Sequence, residues 1–252
     1  MKTKLTALCA LSALCGTAAA APVAVDLSSW TAEGQGTWTN APDNNSVVQT
    51  VNGIPGVYFN GVDSQGQALS GTIEVQSTGD DDYIGFVLGY NAGDIANEDA
   101  NYILIDWKQG DQNYYGGLGR AGLAISRVTG ALDDASGAWW HDAADGVEEL
   151  ARANTLGDTG WEDLTVYNFD LVFTEGLIQV FVDDVLEISL PGVYENGSFG
   201  FYNYSQANVR YGALTQQVVD PDPVPLPAAA ALFAPVLFGG AALRRRAKRA
   251  AA

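Results

Sequence analysis

Between Val23 and Leu214 the apolar residues fall in short runs, broken every few positions by Gly, Asn, Asp or Ser. Within many runs apolar and polar residues alternate, the period-two signature of strands with one buried face. Thirteen runs predict strands: Val23–Trp30, Gly36–Thr39, Ser46–Val51, Gly56–Asn60, Ala68–Ser77, Asp82–Tyr90, Asn101–Lys108, Gly122–Val128, Trp161–Val172, Leu177–Val182, Val185–Leu190, Gly197–Tyr204 and Asn208–Leu214. Asp183-Asp184 separates two of them by two residues, the spacing of a tight hairpin. Only Gly146 to Ala153 (GVEELARA) invites a helical turn. The pattern implies an all-β fold, an antiparallel sandwich of the jelly-roll kind. Its clearest part is Gly79 to Gln109, which reads as strand, acidic loop, strand, with carboxylates at both ends of the first strand.

The two ends of the chain break the alternation. Lys2 and Lys4, the apolar run Leu5 to Leu14 and the small residues Ala18 to Ala21 are laid out as a signal peptide, with cleavage expected after Ala20. Asp220 to Pro223 opens a stiff linker, because proline fixes φ and removes a donor. The chain therefore divides into residues 1–20, a sandwich over 21–219, a linker at 220–223 and a tail at 224–252. Both cysteines, Cys9 and Cys15, fall in the first segment, so the sandwich offers no disulfide and no thiolate ligand.

Charge narrows the partners. The formal net charge is −18, and much of the positive charge lies in the two end segments. Lys108, Arg120, Arg127, Arg152 and Arg210 are all that stand in the body, against 30 acidic residues in the chain. Such a surface repels nucleic acid and anionic membranes. A hard divalent cation would relieve it, and Ca²⁺ takes about 6–8 oxygen ligands from carboxylates and carbonyls. Asp80, Asp81 and Asp82 precede the Tyr83 strand, with Asp80 and Asp82 the pair expected to share a face. Asn91, Asp94 and Asp99 add oxygens on the following loop. These six are the candidate metal ligands, although no EF-hand spacing is present.

Catalysis is not expected. A retaining glycosidase of this architecture needs two carboxyl groups about 5–5.5 Å apart, and no alternating acidic strand supplies them. His141, the only histidine, lies in Trp139-Trp140-His141-Asp142 with no G-x-S-x-G elbow anywhere, so aromatic packing is its expected role. Trp139, Trp140, Tyr114 and Tyr115 lie in loop-like segments and are candidates for stacking on sugar rings.

Two resemblances extend these readings. The tail, with VPLPA at Val224 to Ala228, an apolar run and Arg244 to Arg246, resembles the VPLPA variant of the PEP-CTERM sorting domains of Gram-negative bacteria. That resemblance implies recognition by an exosortase-type protease, transient membrane anchoring through the C-terminal segment, and delivery to the cell surface or exopolysaccharide matrix. Six ordered blocks of the body resemble the thrombospondin C-terminal domain, a sandwich of the concanavalin or L-type-lectin kind. They are Asp80–Tyr90, Asn101–Gln109, Gly117–Gly130, Ala138–Asp142, Gly160–Leu171 and Gly197–Leu214. This resemblance implies an extracellular, calcium-binding, adhesive and non-enzymatic module, with Asp80 to Asp82 as the acidic entry nearest an ion. A carbohydrate-binding module of L-lectin type without a metal requirement is the alternative.

Overall fold

A computed structural model describes residues 21–219. The proposed signal peptide, linker and sorting tail lie outside the described residues. Seventeen strands follow one another: β1 (Val23–Ala24), β2 (Thr31–Gly34), β3 (Trp38–Asn40), β4 (Val47–Gln49), β5 (Gly56–Phe59), β6 (Gln67–Val75), β7 (Tyr83–Tyr90), β8 (Asn101–Lys108), β9 (Gln112–Tyr114), β10 (Gly117–Gly119), β11 (Gly122–Thr129), β12 (Val147–Arg152), β13 (Val166–Phe173), β14 (Leu177–Val182), β15 (Val185–Pro191), β16 (Ser198–Tyr204) and β17 (Val209–Val218). All pairings are antiparallel. One sheet runs β15-β14-β13-β6-β17-β4-β3, with β1 on β17, and the other runs β12-β11-β8-β7-β16-β5-β2.

The main core lies between these two sheets. Ile84, Phe86 and Leu88 of β7, Ile103, Ile105 and Trp107 of β8, and Phe199 and Phe201 of β16 meet Leu69 and Ile73 of β6, Phe169 and Leu171 of β13, and Tyr211 of β17. Strands β7, β8 and β16 are buried on their second face as well. Tyr83 and Val87 of β7, Tyr102 and Leu104 of β8, and Tyr202 and Tyr204 of β16 form a second cluster with Leu132, Ala138 and Trp139. The segment between β11 and β12 thus covers the outer face of the seven-stranded sheet. This explains why β7 and β8 read as nearly continuous apolar runs. The same alternation turns Asp106 and Lys108 of β8 into the covered layer.

Three local expectations change. Val147–Arg152 is strand β12 and not a helical turn: it pairs with β11 from Val128↔Val147 to Ala124↔Arg152, and tertiary pairing overrides the helical leaning of Glu-Glu-Leu-Ala. The run from Val23 yields only β1, then a 3-10 turn at Leu27–Ser29 whose start is capped by the Asp26 side chain. The stretch holding Tyr114 and Tyr115 is not a loop but the β9–β10 hairpin. The Asp183-Asp184 turn is as expected, with φ of 47° and 65° at its two residues, as a two-residue hairpin requires.

Candidate functional site

The covered outer face holds two ionic centres, and an aromatic ridge stands at its margin. The first centre is Lys108, 0% exposed at the end of β8. Its ammonium donates to the Asp82 carboxylate at 2.7 Å, to the Asp81 carbonyl at 3.0 Å and to Gln112 Oε1 at 3.1 Å. Those three bonds use all its donors. The faces of Trp139 and Tyr83 lie 4.7 and 5.4 Å away, a cation–π box for the same charge. Asp80, Asp81 and Asp82 precede the ladder, so strand alternation does not separate them, and one oxygen from each lies within 4.8 Å of the others. The expectation that only Asp80 and Asp82 share a site is corrected accordingly.

Lys108 neutralises one charge of this triad and leaves two. Asp80 registers the excess: partial burial, then the charges of Asp82 and Asp81, push its pKa up, against a hydrogen bond from Asn52 Nδ2 at 2.7 Å. A hard cation fits that excess at Asp80 and Asp81, with Asp82 already committed to the ammonium. The loop residues do not join it. Asp94 and Asp99 follow β7 while the triad precedes it, and eight strand residues span about 26 Å. Asp94 is buried, and its oxygens accept from Asn91 N–H at 2.8 Å and Asn97 Nδ2 at 3.3 Å, so it shapes the loop. Asn91 and Asp99 serve the same turn, the Asp99 N–H donating to Asn97 Oδ1.

The second centre is His141. Its Nε2 lies 2.9 Å from Asp106 Oδ2 and its Nδ1 lies 3.1 Å from Glu149 Oε2. Asp106 is wholly buried, and Glu149 also accepts from Arg152 Nε at 3.1 Å. Burial alone would lower the histidine pKa, but Asp106 and then Glu149 outweigh it and hold it up at about 9. The bond from His141, with Arg152 behind it, holds Glu149 down at about 2. His141 therefore ties the covering segment to β8 and β12. Its ring also lies 6.0 Å from Tyr83, but ion pairing and not aromatic packing fixes it. Asp106 lies 35 residues away in sequence and Glu149 eight, and no local motif links either to the histidine. Lys108 was equally silent, lying at the end of an apolar strand.

The ridge is the β9–β10 hairpin with Trp140. Tyr115 and Gly116 form the turn with φ of 46° and 85°, and the Tyr115 side chain is 66% exposed. A bulky residue at positive φ is a strained choice where Asn or Gly is the norm. The Tyr114 and Tyr115 rings lie 4.4 Å apart, and both hydroxyls donate to Asp134 Oδ2, at 3.0 and 3.2 Å. Trp140 lies over Gly117, where a Cβ would come within 2.5 Å of the indole, and its Nε1 donates to Asp145 at 2.9 Å. Of the four aromatic candidates, Trp139 drops out. It is 2% exposed, packs on Tyr83, Tyr114 and Tyr204, and donates to the Gln112 carbonyl.

Comparison with known proteins matches this architecture. The profile of the family described as "Thrombospondin C-terminal region" matches residues 33–220. Human thrombospondin-2 is 27% identical over 200 residues, covering 73% of this chain and 16% of that protein. Bovine cartilage oligomeric matrix protein is 28% identical over 212 residues, covering 74% of this chain and 26% of that protein. The chain thus corresponds to a minor part of the length of these relatives. Among solved structures, the carbohydrate-binding module CBM66 from Bacillus subtilis superposes with a TM-score of 0.52 at 12% identity, covering 75% of this chain and 95% of that one, a likeness of fold. The chain belongs to the thrombospondin C-terminal region family.

Proposed function

We propose that this protein is an exported, surface-sorted β-sandwich that works by binding, in adhesion or exopolysaccharide and matrix association, and not by catalysis. Export rests on the layout of residues 1–20 and sorting on the VPLPA tail with its arginine cluster. One relative is by its name a matrix protein, and one protein of similar fold is by its title a carbohydrate-binding module. The observation that carries the reading is the Tyr114–Tyr115–Trp140 ridge. An exposed phenol is held on a strained turn, its hydroxyl and that of its neighbour anchored to one carboxylate, and burial of the core does not require it there. Strain of this kind gathers at ligand sites, and aromatic faces with fixed edges are suited to sugar rings. Retention of the full-length protein on an exopolysaccharide column, lost in Tyr115→Ala with an unchanged melting temperature, is the expected result. Equal retention of the variant would move the surface elsewhere.

A role for Ca²⁺ rests on the triad. Three carboxylates within 4.8 Å carry one ammonium among them, and the remaining charge at Asp80 and Asp81 suits a hard cation. With free Ca²⁺ at about 100 times its Kd the fold should gain about 2.7 kcal/mol. An identical melting temperature in EDTA and in millimolar Ca²⁺ would remove calcium from the function.

A further inference from the structure

The ridge carries a charge bias that its aromatic faces alone do not specify. Asp134 holds Tyr114 and Tyr115 by their hydroxyls, and Asp145 holds Trp140 by its indole N–H. The aromatic edges are therefore lined with carboxylates, and each cation nearby already faces a carboxylate of its own. Lys108 is enclosed against Asp82, and His141 is spent on Asp106 and Glu149. Arg120, the residue following β10, pairs with Asp158 at 3.1 Å. An approaching uronate or sulfate would meet two fixed negative charges, with the exposed Arg120 of this hairpin already facing Asp158. A protonated amine on a sugar stacked against Tyr115 would find carboxylate acceptors, with Asp134 already bonded to that ring's hydroxyl.

Resting on the ridge as the sugar-binding surface, we propose that its ligand is a glycan bearing free amino groups, a glucosamine-type polymer, and that uronate-bearing and sulfated glycans are rejected when no divalent cation bridges them. Electrostatic selection acts here beside stacking: stacking supplies contact area whatever the substituent, and the fixed carboxylates rank the substituents. The ranking is salt-sensitive, because the charges sit at an exposed rim where screening reaches them.

The experiment measures binding of the full-length protein in EDTA to three oligomers of equal length: β-1,4-linked glucosamine, its N-acetylated counterpart, and mannuronate. At about 0.1 M salt, where the Debye length is about 10 Å, the glucosamine oligomer should bind at least about tenfold tighter than the N-acetylated one, and the mannuronate oligomer weakest. At about 1 M salt, with a Debye length of about 3 Å, the first two should converge. Asp134→Asn keeps an oxygen for both phenols and should narrow the gap at low salt, while Tyr115→Ala should weaken binding of both. Mannuronate bound as tightly as glucosamine, with all binding still lost in Tyr115→Ala, would overturn the charge selection and leave the ridge in place. Failure of all three oligomers to bind, or binding indifferent to Tyr115→Ala, would overturn the ridge and the selection together.

Discussion

His141 meets a carboxylate with each ring nitrogen, and two hydrogen bonds to two acceptors require a proton on both. The imidazolium is thus built into the covered layer, where it offsets the buried Asp106. Its folded pKa of about 9 stands above the ordinary 6.5. The stability it contributes is accordingly complete below about pH 6.5 and is lost as pH rises through about 9. The melting temperature of the wild type should fall between pH 7 and pH 10 more steeply than that of His141→Gln, and parallel curves would refute the assignment. Glu149 acts with the opposite sign: held down at about 2, it supports the fold above about 4.5 and withdraws that support as pH falls towards 2. Lys108 offers a simpler test. Replacing it by Met leaves Asp82 buried and unpaired, which should cost about 3–5 kcal/mol in urea unfolding. A loss below about 1 kcal/mol would mean that the ammonium is dispensable.

At the scale of elements, what could be read in advance depended on whether the signal was local. The strands β7 and β8 and the Asp183-Asp184 hairpin are written in their own residues: alternation, apolar runs, and two residues tolerant of positive φ. The edge strand β12 is not, because Glu148, Glu149 and Leu150 favour a helix until β11 supplies a ladder. The covering segment is the part least marked in its own residues. Trp139 lies in a loop-like stretch of the sequence, yet its indole becomes a wall of the Lys108 box through contacts with β7 and β16. The same distance effect split the acidic residues, since Asp80 and Asp94 flank one strand and so cannot meet. The β9–β10 turn makes a prediction at this scale. Tyr115→Asn places a residue at ease with positive φ in the turn and should stabilise the hairpin by about 1 kcal/mol while weakening ligand retention. A variant that is less stable than wild type would show that ring packing outweighs backbone strain there.

For the whole molecule, charge and connectivity matter more than any single contact. Few basic residues offset the acidic surface of the sandwich, so self-repulsion opposes the compact state. Raising NaCl from about 0.01 to 0.1 M shortens the screening length from about 30 to 10 Å and should raise the melting temperature. No change would imply that the carboxylates are already compensated. Connectivity has a different consequence. The two-residue strand β1 pairs with β17, Val23 against Gln216 and Ala24 against Thr215, so the sandwich is entered and left side by side, about 5 Å apart. The entire body is then a closed loop hung from a single seam. Tension between the flanking segments loads that seam as a zipper, one pair at a time, and does not shear the long ladders of β6 and β17. In a tethered protein, β1 would yield first at low force and release a short length of chain, while the ridge and both ionic centres stay folded beyond the break.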